Sequence, residues 1–357
     1  MKKVLFLIHR FHYSGAAKAL QLIANGLAEE KKYDVTIATY SDTVPCYYVH
    51  PDISVVSGKN RGNGRISKYI TPLKETRKIL EQQKPDIVIA FLNNASFYSI
   101  IASYGLKHKT IVCERCDPYN ENTKSLLFMR KFFRFAQGAA FQTEGARAYY
   151  KDLLDKSTVI PNAVDPSLTA IKVKPFSERK NVINVFSRLE IKQKRQDILL
   201  QAFKQIHSKI PDIVLNIYGD GPDENKLKEM CKELSLGDWV DFKGSTNKAI
   251  ELLSDCKLTI LTSDYEGIPN GVIDAMAIGI PVVATDTSPG GVRMLIEDGV
   301  NGLIVPCGDV KGIADAACKI LMDAKFADMI SSNSVLINER FSEQAIIGLW
   351  DAYLDRF

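Results

Sequence analysis

Long apolar runs are missing from this chain. The longest, Val4 to Ile8 and Ile87 to Leu92, fall far short of the ~20 residues that cross a bilayer as a helix. The first follows Lys2 and Lys3 and stops at His9, Arg10 and His12, too early for the apolar core of a secretory leader. Cysteine is sparse, seven in 357 residues, and an odd count argues against a disulfide framework. Cys113 and Cys116 form one Cys-x-x-Cys pair, but no second pair or spaced histidine cluster completes a zinc set. They read as reduced cytosolic thiols in or near a strand end. The 22 glycines and 14 prolines are scattered, so collagen-like and low-complexity architectures fail. No solenoid-length repeat, zinc finger or basic-aromatic RNA-binding signature occurs, and nucleic acid is not an expected partner.

What is present is a globular composition, 46% hydrophobic and 25% charged, with enough apolar residues for real cores and a length of about two domains. Charge is unevenly spread. Residues 1–163 carry 24 basic and 14 acidic side chains, a net +10; that leaves 22 basic and 28 acidic for the rest, a net −6. Halves of opposite sign suggest domains with different partners, and a basic half suits an anionic membrane surface or a phosphorylated ligand.

Both halves alternate short apolar strands with helical patterns. Strands are expected near 3–8, 34–39, 53–56, 86–91, 109–113, 138–142 and 157–160, then near 182–186, 213–218, 239–242, 257–261, 281–284 and 302–305. Helices are expected near 16–31, 66–82, 95–104, 124–136 and 145–154, then near 195–209, 223–234, 247–253, 271–278, 290–296 and 309–323. Such alternation predicts βαβ units, hence an α/β fold of two doubly wound parallel sheets. Ligands of such sheets lie at the carboxyl ends of the strands. The division falls at 1–163 and 164–341. A last helix at 342–357 follows two others with no strand between, and its return onto the first domain is left open.

The chemistry concentrates in Thr262-Ser-Asp-Tyr-Glu-Gly-Ile-Pro-Asn-Gly-Val-Ile-Asp274. A strand ends, a polar loop follows, and a helix opens near Gly271, with Asn270 as its expected N-cap. A helix start offers unpaired N–H groups and a positive dipole end, a ready diphosphate site. Glu266 and Asp274 lie eight residues apart and could accept hydrogen bonds from sugar hydroxyls; the plainer reading is a capped helix with two solvated acids.

This stretch resembles the acidic motif of the GT-B retaining glycosyltransferases of family 4, which reads Glu, seven residues, Glu. Further matches are Ser187-Arg-Leu-Glu-Ile-Lys-Gln-Lys194, Tyr218-Gly-Asp-Gly-Pro222, Phe242-Lys-Gly244 and Asp298-Gly-Val-Asn-Gly-Leu-Ile-Val-Pro306. Lys84-Pro-Asp-Ile-Val-Ile-Ala-Phe-Leu-Asn93 and Cys113-Glu-Arg-Cys-Asp-Pro118 look like enzymes of lipid-linked oligosaccharide or surface-polysaccharide synthesis. The resemblance implies two Rossmann-like domains facing a cleft, an acceptor-binding first domain and a second that binds a nucleotide sugar.

It also implies roles. Arg188 and Lys194 hold the donor diphosphate, where cations stabilise the charge of the leaving group. The spacing before Lys194 has one residue more than the commonest pattern, which leaves Lys192 as a substitute. Glu266 sits by the donor sugar, the backbone of Gly267, Ile268, Pro269 and Asn270 approaches sugar and phosphate, and Asp274 binds the ribose. Asp274 is one methylene shorter than the family's Glu. Lys243 to Thr246, with Gly244 and Ser245, meets the base. No Asp-x-Asp occurs, in keeping with a metal-independent scheme, and no cofactor is expected: Gly219-x-Gly221 lacks the third glycine of a dinucleotide fingerprint, Glu224 standing there.

In the first domain, Ser14 replaces the first of two glycines usual before the helix; the resemblance places this turn near the phosphates and acceptor and leaves Gly15 as a donor-binding candidate. Glu114 and Arg115 stand where many relatives have a His, with Asp117 close by; they are candidates for orienting acceptor or donor, and no catalytic base is assigned. His9 and His12 are further candidates, each more simply structural. At 100° per residue, Lys124, Arg130, Lys131 and Arg134 fall on one arc of a helix bordered by Leu127, Phe128 and Phe135, an expected membrane-surface face. The resulting expectation is a retaining, metal-independent enzyme, cytoplasmic and peripheral at the inner face of the cell membrane. It would move a sugar from a UDP-sugar, a hexose or N-acetylhexosamine, to a polyprenyl-diphosphate-linked or other surface glycan. A soluble enzyme acting on a protein or small molecule, and an inactive nucleotide-sugar-binding regulator, stay open.

Overall fold

The structure is a computed structural model and describes residues 1–12, 14–41, 46–59 and 67–357. Among these, thirteen strands form two all-parallel sheets. The first has β1 (Lys2–Ile8), β2 (Tyr33–Thr39), β3 (Ser54–Ser57), β4 (Ile87–Phe91), β5 (Lys109–Glu114), β6 (Gly138–Phe141) and β7 (Ser157–Val159), in the order β3-β2-β1-β4-β5-β6-β7. The second has β8 (Lys180–Phe186), β9 (Val214–Tyr218), β10 (Val240–Gly244), β11 (Cys256–Leu261), β12 (Val282–Thr285) and β13 (Leu303–Val305), in the order β10-β9-β8-β11-β12-β13. Central strands read as unbroken apolar runs because helices cover both faces; every residue of β4 is buried. In each sheet the order reverses beside the first strand, between β1 and β4 and between β8 and β11. Those points place the crevice where α/β sheets take their ligands.

The chain forms two compact units, Met1–Ala163 with Glu343–Phe357, and Val164–Ser342. The final helix, Glu343–Leu354, is part of the first unit's core: Trp350 is fully buried, and the Tyr353 hydroxyl accepts from the Ala139 N–H at 2.9 Å and lies 2.6 Å from the Lys156 carbonyl. Lys32 bridges Asp351 and Asp355, both at 2.8 Å. In the second unit, Leu199, Phe203 and Ile206 repeat at helical spacing on Gln196–Lys209 and pack with Leu215 and Ile217 of β9.

Several elements differ from the sequence expectation at their ends. The helix expected at 66–82 runs Ser67–Gln83, residue 66 lying outside the described residues. The helix expected at 95–104 begins at Leu92, directly after β4. The helix expected at 145–154 is Glu144–Tyr149 followed by a 3-10 segment, Lys151–Lys156. The helix expected over 124–136 is only Lys124–Arg130, followed by a 3-10 turn at Phe133–Phe135.

Candidate active site

Two loops leave the second sheet at its switch point, one after β8 that carries Arg188 and Lys194 and one after β11 that carries Glu266 to Pro269. After β8 the chain makes one helical turn, Ile191–Lys194, and Arg195 adopts the left-handed conformation at φ 50° before the helix Gln196–Lys209 begins. The helix expected from 195 begins one residue later, at Gln196. Arg195 sends Nη1 to both oxygens of Asp264, at 3.1 and 2.9 Å, and Nε to Asp197 at 3.1 Å. The Asp264 N–H donates to the Gln193 carbonyl at 2.9 Å, Gln193 Nε2 to the Tyr265 carbonyl at 3.1 Å, and the Thr262 hydroxyl to the Lys194 carbonyl at 2.8 Å. Bonds from both loops thus fix one geometry.

The product of that geometry is an ion pair. Lys194 Nζ lies 2.5 Å from Glu266 Oε1, and the Ser263 hydroxyl donates to the same oxygen at 2.7 Å. Glu266 is 9% exposed, so it is no solvated acid. Lys192 is exposed, and Lys194 is the residue that meets the acid. Arg188, on the β8 loop, is solvent-facing with Nη1 3.6 Å from Glu190. Gly219 packs under this loop at φ +136°, where a Cβ would stand 2.0 Å from the Ser187 carbonyl oxygen.

The Glu266 loop is held from a third side. Its N–H donates to the Ser288 carbonyl at 3.0 Å, and a Cβ on Gly291 would lie 1.8 Å from the Gly267 carbonyl oxygen. Gly267 and the buried Ile268 therefore run in van der Waals contact with a neighbouring backbone. The helix that follows is Asn270–Ala277. Asn270 is its first residue and not its N-cap; Pro269 precedes it and supplies no side-chain cap, since a proline has no oxygen to turn back on the first turn. Open space lies beyond Gly271, and Asp274 follows in the same helix, half-buried. At the edge of the sheet, Gly244 closes β10 at φ +69°, and the Ser245 hydroxyl donates to Asp220 at 2.8 Å. Two cations, a positive helix end and a paired carboxylate can together receive a diphosphate and orient an attached polar group. Ser263 and the Arg195–Asp264 pair were not singled out by sequence, although both flank the residues that were.

In the first unit, Ser14 acts locally. Its hydroxyl oxygen accepts from the Ala17 N–H at 3.2 Å and caps the helix Gly15–Glu29. The ring of His9 stacks on Tyr40 with centroids 4.9 Å apart, and burial lowers its pKa below the ordinary value of 6.5. Glu114 does not present itself as an acceptor contact: its carboxylate is fully buried, accepting from Arg130 Nε at 3.1 Å and from the Tyr150 hydroxyl at 2.5 Å. Burial pushes the Glu114 pKa up, against both partners. Asp117 is buried too, accepting from the Tyr119 N–H at 2.9 Å and Asn120 Nδ2 at 2.7 Å. Arg115 donates to Asn162 Oδ1 at 2.9 Å and lies 4.9 Å from the Phe91 ring centre; burial pushes it down to about 10. The expected basic arc also needs correction. Lys124, Lys131 and Arg134 are exposed, but Arg130 is buried, because the helix ends there and its guanidinium turns inward to Glu114 and the Glu121 carbonyl.

Two family descriptions match the chain in sequence: Glycosyltransferase Family 4 over residues 13–168 and Glycosyl transferases group 1 over residues 168–335. An uncharacterized glycosyltransferase of Haemophilus influenzae is 25% identical over 99% of this chain and 100% of its own length. A Campylobacter jejuni protein, GalNAc-alpha-(1->4)-GalNAc-alpha-(1->3)-diNAcBac-PP-undecaprenol alpha-1,4-N-acetyl-D-galactosaminyltransferase, is 25% identical over 94% of this chain and 93% of its own. In fold, the chain superposes on Anabaena HepE, solved in complex with UDP and glucose, with a TM-score of 0.85 at 21% identity and full coverage of both chains. With both family matches lying end to end across two parallel sheets of this topology, the chain belongs to the GT-B-fold glycosyltransferases of group 1 and family 4.

Proposed function

We propose that this glycosyltransferase takes a sugar from a UDP-sugar and transfers it, with retention and without a metal, to a polyprenyl-diphosphate-linked or other surface glycan. The observation that carries the reading is the Lys194–Glu266–Ser263 cluster at the open ends of β8 and β11, beside the start of the helix Asn270–Ala277. Arg188 and Lys194 neutralise the diphosphate as charge develops on it. Glu266 accepts from a hydroxyl of the transferring sugar. Gly267 to Asn270 bring backbone to sugar and phosphate, Asp274 takes the ribose, and Gly244 and Ser245 border the base.

In the reaction the C1–O bond to the diphosphate breaks and a new C1–O bond to the acceptor forms on the same face. The acceptor proton passes to the leaving diphosphate oxygen, so no protein nucleophile is required. The first unit supplies acceptor contacts, with Ser14 and Arg115 as candidates there and Glu114 and Asp117 as buried supports, while Gly15 is a candidate for donor binding. A UDP donor is supported by the Anabaena complex, and a polyprenyl-diphosphate acceptor by the name of the Campylobacter relative.

A calorimetric screen of UDP- and GDP-sugars tests the donor class. UDP-sugars should bind, and Arg188→Ala and Lys194→Ala should each weaken UDP by roughly 1.5–3 kcal/mol, the scale of a lost charge-assisted hydrogen bond. Tighter binding of GDP-sugars, or unaltered UDP affinity in both variants, would overturn the assignment.

A further inference from the structure

We propose that Arg195 is a positioning residue for the transfer reaction: paired with Asp264, it locks the β8 loop to the β11 loop and so fixes Lys194 against Glu266, which rests on the roles proposed for those two residues. Its loss lowers turnover and leaves nucleotide affinity in place. Arg195 sits at φ 50° and ψ 43°, between the turn Ile191–Lys194 and the helix Gln196–Lys209. Glycine takes that left-handed conformation without steric cost, whereas a Cβ disfavours it. The backbone alone therefore does not call for arginine; the side chain does. Nε and Nη2 donate to the two carboxylate oxygens of Asp197, at 3.1 and 3.2 Å. These bonds are local and hold the plane of the guanidinium. Nη1 then donates to both oxygens of Asp264, at 3.1 and 2.9 Å, across to the other loop. A lysine ammonium lacks the planar fork that holds two carboxylates at once.

The crossing runs in register with its neighbours. Along the β8 loop, the Gln193 carbonyl accepts from the Asp264 N–H, the Lys194 carbonyl accepts from the Thr262 hydroxyl, and Arg195 meets the Asp264 carboxylate. Lys194 is thus pinned at its carbonyl while its Nζ reaches Glu266. Glu266 lies two residues after Asp264 and Lys194 one residue before Arg195, so each partner of the one ion pair is tied closely to the other. Both Arg195 and Asp264 are half-buried, and salt screens such a pair less than an exposed one. With the lock broken, a diphosphate still finds Arg188, Lys194 and the start of the helix Asn270–Ala277. What is lost is the alignment of Glu266 with the sugar, and misalignment of that kind falls on the transition state. Cys307 offers a reporter of the lock that needs no turnover. Its thiol is exposed, and Sγ lies 3.6 Å from the carbonyl oxygens of Ser263 and Asp264 and 3.4 Å from that of Asp286. It therefore touches the backbone that Arg195 holds.

The test compares Arg195→Gly, Asp264→Ala and the double variant with the wild type, in the full chain, by hydrolysis of UDP-glucose and UDP-N-acetylglucosamine. Glycine keeps the backbone conformation, so the unfolding temperature of Arg195→Gly should move by no more than about 3 °C. Its UDP affinity in calorimetry should stay within about twofold, while kcat falls about tenfold or more. The double variant should fall little further than either single one, because each removes the same bond. Labelling of Cys307 by a thiol reagent, corrected with Cys307→Ser, should be faster in all three variants. A wild-type kcat in Arg195→Gly, losses that multiply in the double variant, a drop in UDP affinity as large as the drop in kcat, or an unchanged labelling rate would each overturn the proposal. Glu266→Gln in the same assay separates the two readings. If it loses turnover and Arg195→Gly does not, the lock alone fails; if Glu266→Gln keeps full turnover, the reading of the site fails with it.

Discussion

Glu266 differs from a surface acid in two ways that bear on mechanism. It is nearly buried, and its Oε1 is already shared by an ammonium and a hydroxyl. Such a carboxylate is paired, held in one rotamer and short of solvent, which is what a group orienting a sugar requires. Glu266→Gln keeps the size and removes the charge, so turnover should fall at least ~10-fold; a steady-state assay of donor consumption checks it, and an unchanged rate would remove the role. Asp274 tests the shorter acid. If it reaches the ribose through a bridging water, Asp274→Glu should retain turnover while Asp274→Ala weakens nucleotide affinity in calorimetry. The pairing of Glu266 with Lys194 joins two residues that the sequence singled out, because a motif of charged residues at fixed spacing survives as text. What Glu114 does was not legible. Its partners Arg130 and Tyr150 lie 16 and 36 residues away, and only the packing of β5 against the following segments makes it a buried acid.

At the scale of elements, the strands were legible because parallel strands buried on both faces are short continuous apolar runs. Helix breaks were not: projecting residues at 100° assumes an unbroken helix, whereas Lys131 and Arg134 lie beyond the helix Lys124–Arg130, and the Arg130 guanidinium is drawn inward by Glu114. The left-handed Arg195 was invisible for a similar reason, since its stabilising partner Asp264 comes from another loop. The contact between Gly291 and the Gly267 backbone makes a sharp prediction. Gly291→Ala must displace one of two backbones, and overpacking of that kind typically costs about 1–3 kcal/mol. Thermal unfolding should report that loss, and turnover should drop with it because the displaced loop carries Glu266. The helix Glu343–Leu354 offers a pH test. Hydrogen bonds from Lys32 and Tyr33 hold the Asp351 pKa below its ordinary 3.8. Folding is therefore favoured by this group when pH is above 3.8, and the contribution is lost as pH falls through the lower folded-state value. Asp351→Asn should flatten that part of the acid-stability curve.

The whole molecule pairs a basic and an acidic half of the chain, the net +10 and −6 of the sequence, and each compact unit carries its own parallel sheet and core. Family membership was legible at this scale, because several ordered motifs run through nearly the whole chain. The identity of the sugar was not, since hydroxyl discrimination depends on a few contacts that no motif encodes. Retaining transfer from a UDP-sugar at the Lys194–Glu266 site is the reaction proposed for this chain. Its most direct test is proton NMR of slow UDP-sugar turnover with a chelator present, reading the anomer first released. Retention without a metal gives the α-anomer of an α-linked donor, formed despite the chelator. First release of the β-anomer, or turnover restored only by a divalent metal, would contradict it.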